Sequence, residues 1–373
     1  MKKPGLLRNI LSHSVFIINL LVIAWLVCCY AASYISPLRV KYLALFSLTT
    51  PFAIVANFLF ILFWLFTRRK WRVFFSLAPL CVFYKLVLSV IGIHIGKNDM
   101  AAGTGKLKVM TWNVHGLGIY DRPVDKTVPE RILDVIKEQQ PDILCLTEFY
   151  TNWDDAMKPY TGRFLREGGF KEYRFIYDNT LGTKIYVGTA FYSRYPLGNF
   201  STIQLAPHIK MLQCDVTLPG NRKMRNYFIH LQSFMLLDNE KNLIEEVKSN
   251  NRPLEMSESK SFARRFNTAY RKRAVQTESA ADIIRQSPYP VLICGDLNDL
   301  PGSYTYTTLK GKLSDAFSEK GSGFGRTYNR ILPTLRIDYI FYDPSLLRIT
   351  GFKSPQLSLS DHNPVIASFE LKE

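Results

Sequence analysis

Apolar positions fall into two regimes along the chain. Up to about residue 95 they run almost unbroken. Beyond it they come in short blocks with period two or helical spacing. The first regime divides into three stretches, about Ile10–Ile35, Tyr42–Phe66 and Val73–Ile95. Each has the roughly 20 residues that a helix needs to cross a bilayer core. The first is too long for the apolar part of a signal peptide. Lys85, near the middle of the third, costs about 2.5–3.5 kcal/mol on insertion scales. Phe74, Phe75, Leu77, Leu80, Val82, Leu86, Val87 and Leu88 offset it, so three spans are expected. Pro51 and Pro79 are tolerated within spans.

The second regime reads as alternating strands and helices. Strands are expected at Leu107–Val114, Ile143–Thr147, Lys184–Tyr192, Met211–Leu218, Met224–Leu231, Val291–Cys294, Arg336–Tyr342 and Val365–Leu371. Pro129–Gln139 carries Ile132, Leu133 and Ile136 at helical spacing. Residues 256–286 predict a longer, basic helix. Strands joined by both local reversals and helical crossovers suggest a mixed α/β sandwich. The expected organisation is a membrane segment over 1–96, a short flexible tether over 97–105 and a soluble domain over 106–373.

Charge sharpens the division. The chain has 373 residues, 47 Lys+Arg and 31 Asp+Glu, a net charge of +16. Residues 1–98 hold 11 basic residues and no acid, leaving a mildly basic remainder. An apolar share of 47% with 21% charged residues excludes a disordered chain. Six cysteines exclude a disulfide scaffold. Cys145, Cys214 and Cys294 fall in strands and read as buried free thiols. Lys2, Lys3 and Arg8 precede the first span, and Arg68, Arg69, Lys70 and Arg72 follow the second, against Arg39 and Lys41 between them. The positive-inside rule then places the N-terminus and the Arg68–Arg72 loop in the cytoplasm. With three spans the soluble domain lies outside; with two it lies inside.

Polar residues recur where the apolar strands end. Asn113 ends VMTWN, Glu148 ends ILCLTE, His230 ends NYFIH, and Asp296 and Asn298 close VLICGDLN. Asp338 interrupts RIDYIF, and Asp361 and His362 stand in SDHNP before the last strand. An Asn or Asp after a strand is ordinarily a turn former, and a lone His is ordinarily structural. Asp338 inside an apolar strand needs a partner if buried. Strand ends sharing one rim make a site.

Together TWNVHG, LTE, IHLQ, GDLND, RIDYIF and SDHNP resemble the endonuclease/exonuclease/phosphatase family, in the family's order, over about residues 106–372. The resemblance implies a DNase-I-like four-layer α/β sandwich, two packed mixed sheets flanked by helices, behind an all-α transmembrane segment. It implies hydrolysis of phosphodiesters with a divalent metal, Mg2+ or Mn2+. Glu148 would be the metal carboxylate, with Asn113 at the metal or phosphate and Asp361 as a further acid beside the metal. Asp296 would activate water and Asn298 would bind phosphoryl oxygens. His362 would stabilise developing charge, held by Asp338, and His230 would be the acid for the leaving group. Hard cations suit such oxygen donors.

Weaker candidates are His115, Arg194 and Tyr328; His13, His94 and His208 are left unassigned. The family's branches include nucleases and sphingomyelinase-like lipid phosphodiesterases. A membrane anchor and HLQ favour a phospholipid. Arg264, Arg265, Arg271, Lys272 and Arg273 favour a nucleic acid. A non-catalytic docking protein is the least supported class, and no obligate protein partner is inferred. The expected location is a bacterial inner membrane, with the soluble domain on the extracytoplasmic side. Asp238–Lys260 reads as an insertion, either lid or loop.

Overall fold

The computed structural model describes residues 6–101, 103, 105–120, 123–152, 160–182, 185–234, 256–330 and 334–372. Most of the Asp238–Lys260 insertion lies outside the described residues.

Among the described residues two helices are long and apolar enough to cross a membrane, Ile10–Tyr34 and Leu43–Leu65, and there are three spans if the bent pair Lys70–Val82 and Tyr84–Val90 counts as one. The first is α1 (Leu6–Tyr34). The second joins a 3-10 turn, Leu43–Thr49, to α2 (Thr50–Leu65). The third apolar stretch is not the single helix expected over Val73–Ile95. It forms α3 (Val73–Val82) and α4 (Tyr84–Val90), bent by 73°. Pro79 lies inside α3, where it lacks an N–H and crowds the preceding turn. The helix ends one turn later, with the Phe83 N–H on the Pro79 carbonyl at 2.9 Å. The bend puts Lys85 on the short arm, where its charge reaches Lys310 of the two-sheet part. A polar network ties the three apolar helices at one end. The Trp64 indole donates to Asn19 Oδ1 (2.8 Å), Asn19 Nδ2 to Ser76 Oγ (2.6 Å) and Arg72 Nη1 to the Ser12 carbonyl (2.7 Å). Interhelical hydrogen bonds of this kind hold helices together where apolar surface alone gives no preference.

The remaining chain builds two six-stranded sheets. One contains β2 (Lys106–Asn113), β3 (Ile143–Asn152), β4 (Glu172–Leu181), β5 (Ile185–Ser193), β13 (Leu347–Lys353) and β14 (Val365–Leu371), in the order β13-β14-β2-β3-β5-β4. The other contains β6 (Leu197–Ala206), β7 (Ile209–Leu218), β8 (Arg222–His230), β9 (Val291–Asp296), β10 (Ser314–Asp315) and β12 (Asp338–Tyr342), in the order β10-β12-β9-β8-β7-β6. Each sheet has one parallel pair, β2–β3 and β8–β9. Parallel neighbours need a crossover, and these pairs are bridged by the segments carrying α5 (Val128–Gln139) and α7 (Met256–Arg285).

The sheets pack face to face. Val109, Cys145 and Phe191 of the first meet Cys214, Phe228 and Cys294 of the second, and the Phe191 and Phe228 rings stack at 4.1 Å. Helices α5 and α6 (Tyr160–Glu167) cover the outer face of the first sheet through Ile132, Ile136 and Phe164. Helices α7 and α8 (Tyr304–Lys310) cover the second through Ala280, Ala281 and Tyr306. Strands buried on both faces read as continuous apolar runs, which is why the central strands stand out in the sequence. All six cysteines are free.

The two parts are fastened to each other. Asn98 and Asp99, in the expected flexible tether, dock on β13. Asn98 exchanges two hydrogen bonds with the Phe352 backbone (2.6 and 2.7 Å), and the Asp99 N–H reaches the Thr350 carbonyl at 3.0 Å. A two-residue pairing joins β1 (Gly92–Ile93) to β11 (Ser322–Gly323). Arg336 is fully buried, 2.9 Å from Asp315 Oδ2 and 2.7 Å from the Ser89 carbonyl at the end of α4, with Phe317 under its guanidinium at 4.3 Å. Removing one partner of a buried ion pair is destabilising by about 3–5 kcal/mol. Arg336→Ala is therefore expected to lower the thermal unfolding midpoint of the detergent-solubilised protein clearly. An unchanged midpoint would show that the pair contributes nothing.

Candidate active site

The strand ends meet at one rim. Asn113 closes β2, His230 closes β8 and Asp296 closes β9, while Asp338 opens β12. Ladder register aligns them: Asp296 pairs with His230 on one side and with Asp338 on the other. Glu148 sits where the β3–β5 register shifts between Leu146 and Phe149, with φ at +50°. His115 and Asn298 also have positive φ, +45° and +50°. Such conformations in non-glycine residues are strained and collect at functional sites.

The side chains form a connected set around Asp296. Its Oδ1 accepts the Asn298 N–H at 2.7 Å. Its Oδ2 lies 3.2 Å from Asn113 Nδ2, 3.8 Å from His362 Nε2 and 3.9 Å from His230 Nε2. Asn113 Nδ2 also reaches Glu148 Oε1 at 2.9 Å, and His230 Nε2 lies 3.8 Å from the same oxygen. Asp338 Oδ2 holds His362 Nδ1 at 2.9 Å. Two further bonds fix the His362 loop. Trp112 Nε1 donates to the His362 carbonyl (2.8 Å), and Ser360 Oγ donates to the Asn113 carbonyl (2.7 Å). Thr327 Oγ1 accepts the N–H groups of Ile337 and Asp338, setting the start of β12.

Burial and charge divide the titratable groups. Burial works against charge on Glu148, yet the His115 hydrogen bond, the His230 charge and the Asn113 amide outweigh it and hold the carboxyl at about 2. Burial pushes Asp296 up to about 6, with repulsion from Asp338 adding to the push and His362 and His230 opposing it. Burial alone would depress His362, but the Asp338 charge and hydrogen bond raise it to about 10. At neutral pH His362 is therefore an imidazolium beside two carboxylates.

Two regions of the site present oxygen donors. Asp296, Asp338 and His362 offer atoms within 4.8 Å of one another. A protonated imidazole has no free lone pair to give a cation, so this trio reads as a hydrogen-bonded relay. The other region suits a hard cation better. Glu148 Oε2 and Asp361 Oδ1 converge on one point, His115 Nδ1, at 3.7 and 3.4 Å, with Asn113 adjoining.

The structure brings together Asn113, Glu148, His230, Asp296, Asn298, Asp338, Asp361 and His362. Of the weaker candidates, His115 is inside the site. Tyr328 packs its ring edge-on against His362 at 4.9 Å. Arg194 is not at the site. It follows β5 at the opposite rim and shares a small cleft with Lys106, Lys108 and Asp142. His208 lies in the turn between β6 and β7.

Two residues went unread in the sequence. Arg330 Nε lies 3.1 Å from Asp361 Oδ2, and its Nη2 is 3.3 Å from His115 Nε2. Asp178 is passed over at the bulge of β4 between Tyr177 and Asn179. Burial pushes its carboxyl up to about 6 against the opposing charges of His230, Lys210 and His208. Its sequence, YDNT, reads as a turn, so only a strand assignment could have drawn attention to it.

Residues 110–362 match the model of the Endonuclease/Exonuclease/phosphatase family. The chain belongs to that family. The fold agrees. An endonuclease/exonuclease/phosphatase structure from Beutenbergia cavernae aligns over 71% of this chain and 72% of its own, at 22% identity and a TM-score of 0.50. The human Nocturnin catalytic domain with bound sulfate aligns over 72% and 94%, at 18% identity and a TM-score of 0.50. These likenesses show the DNase-I-like sandwich. Residues 11–90 match a domain of unknown function, DUF8431. UPF0294 protein VP2298 of Vibrio parahaemolyticus is 26% identical over 108 residues, 29% of this chain, and the match spans 37% of that relative. The family's enzymes act on phosphate esters and generally use divalent metals.

Proposed function

We propose that the chain is a membrane-anchored, divalent-metal-dependent phosphodiesterase. The observation that carries this is the convergence of Asn113, His230 and His362 on one oxygen of a buried carboxylate, Asp296 Oδ2. A phosphodiester hydrolase needs a base for the attacking water, donors for the phosphoryl oxygens and an acid opposite the nucleophile. Asp296, ionised above about pH 6, takes the proton from water. Asn298 orients a phosphoryl oxygen and fixes Asp296 through its backbone N–H, while Asn113 gives its two amide N–H bonds to Glu148 and Asp296 and so positions both carboxylates. The His362 imidazolium, held by Asp338, neutralises charge that grows on the phosphoryl group. His230 gives a proton to the leaving oxygen. A divalent ion, when held by Glu148, Asn113 and Asp361, supplies further positive charge to the phosphate.

Hydrolysis of bis(4-nitrophenyl) phosphate by full-length protein in detergent tests the reading. Turnover is expected with Mg2+ or Mn2+ and none with EDTA. Glu148→Gln should raise the Mg2+ concentration for half-maximal rate by at least about 10–100-fold. EDTA-resistant turnover at the full rate would remove the metal from the proposal.

The site is proposed to lie outside the cytoplasm. Two observations support this. The connection from the first apolar helix into the second touches the catalytic part, through Ser36 on Glu278 and Ser47, in the 3-10 turn that opens the second, on Tyr270. The Arg68–Arg72 stretch lies at the other end, with Arg72 on Ser12. Basic loops stay in the cytoplasm, so the catalytic part takes the opposite side. Reporter fusions after residue 100 that are active only in the cytoplasm would reverse the assignment.

A further inference from the structure

We propose that the substrate is a phosphodiester carried by a lipid of the same bilayer, met by a catalytic rim that the membrane helices hold at headgroup level. The inference rests on the phosphodiesterase reading above.

Three of the segments that carry the site are fixed to residues where the membrane helices end. The first follows Asp296 and Asn298. Ser33, one residue before the end of α1, donates its hydroxyl to the Gly302 carbonyl. Gly302 also lies so close to α4 that a Cβ there would meet Leu86 Cδ1 at 2.3 Å, and its φ is +77°. The second segment precedes Asp338, where Arg336 donates to the Ser89 carbonyl at 2.7 Å. The third follows His230. Its Gln232 N–H bonds Gln276 Oε1 of α7 (3.2 Å), and Arg273 Nη1 bonds the Gln232 carbonyl (3.0 Å). Helix α7 in turn lies along the loop joining α1 to α2. Asn267 Oδ1 accepts the Tyr42 N–H at 2.9 Å, and Tyr270 meets Ser47 at 3.0 Å. Leu26, Cys29, Ile54 and Val90 of the apolar helices form one buried cluster, and Phe324 of the catalytic part packs on it.

The rim therefore cannot swing on a tether. It sits where α1 leaves the apolar core. The stretch of α7 against the α1–α2 connection turns its aromatic face inward and exposes basic side chains. Its Phe262, Phe266 and Tyr270 share rings with Phe234 and one another, while Arg264 and Lys272 are exposed. Exposed basic side chains close to a bilayer are attracted to an anionic lipid surface. A lipid-borne diester reaches this rim by lateral diffusion. A nucleic acid would have to bring its own phosphates between the rim and an anionic headgroup layer, against like charge.

The test uses full-length protein in liposomes that contain phosphatidylglycerol. A fluorogenic aryl phosphodiester is placed on a lipid anchor, either flush with the glycerol or on a long polyethylene glycol spacer. Each is given in the same liposomes as the protein or in separate ones, with soluble bis(4-nitrophenyl) phosphate in parallel. The flush diester in the same liposomes is expected to turn over on the order of 100-fold faster than in separate liposomes, through its high effective concentration. It should also outrun the spacer-borne diester. Equal or faster cleavage of the spacer-borne diester would overturn the inference, as would equal rates in same and separate liposomes, while soluble turnover left the phosphodiesterase reading intact. No turnover of any diester, soluble or anchored, would overturn both.

Discussion

Asp296→Asn is expected to lower kcat by about 10²–10⁴-fold, the range supplied by a positioned general base. The amide keeps the shape, and its oxygen can still accept the Asn298 N–H, but it cannot take a proton from water. Circular dichroism should be unchanged. The wild-type enzyme should gain activity as pH rises through about 6, where Asp296 ionises. The same group has a stability signature. Its folded pKa is raised above the ordinary 3.8, so the folded state binds the proton more tightly than the unfolded chain does. Stability is thus lost as pH climbs from about 4 to about 6, and Asn should remove that loss. Near-normal turnover in a folded Asp296→Asn protein would end its assignment as base.

His362→Ala should reduce kcat by about 10²–10³-fold, the effect of losing one preorganised donor to developing charge. Its partner gives the sharper measurement. The folded His362 pKa, about 10, lies above the ordinary 6.5 because Asp338 outweighs the effect of burial. The stabilisation from this pair is complete below about pH 6.5 and is lost as pH rises through about 10. Activity should fall in the same upper range. Asp338→Asn removes both the charge and the strong acceptor while burial remains, so the alkaline limb of kcat/KM should move down by several pH units. A limb that stays in place would mean that another group titrates there.

The central strands and the site were legible in the sequence for one physical reason. β2, β3, β8, β9, β12 and β14 are buried on both faces, so they read as apolar runs, and a polar residue at the end of such a run stands out. Apart from the two-residue strands β1, β10 and β11, the strands without a clear sequence signal are β4, β6 and β13, all of them sheet edges. β6 exposes Gly198, Asn199 and Phe200, and β13 has a register shift between Ile349 and Gly351. Edge strands lack the covering that forces apolar residues on them. Asp178 was lost with β4. Arg330 had no sequence signal, since its place beside Asp361 comes from a loop whose course depends on tertiary packing. The bend at Phe83 was foreshadowed by Pro79 and Lys85, but the apolar count alone favoured a straight span.

The pairing of β14 with β2 has a consequence for how the molecule is made. These strands are neighbours in the sheet, register Val365 opposite Thr111, yet nearly all of the two-sheet part lies between them in the chain. During synthesis β2 emerges early and waits with one edge open until β14 follows. Closure of such a distant pair is slow. His362 takes its place against Asp338 only when that strand docks, so a partly synthesised chain has no complete site. Under the proposed function, catalysis is thereby withheld until the sheet has closed.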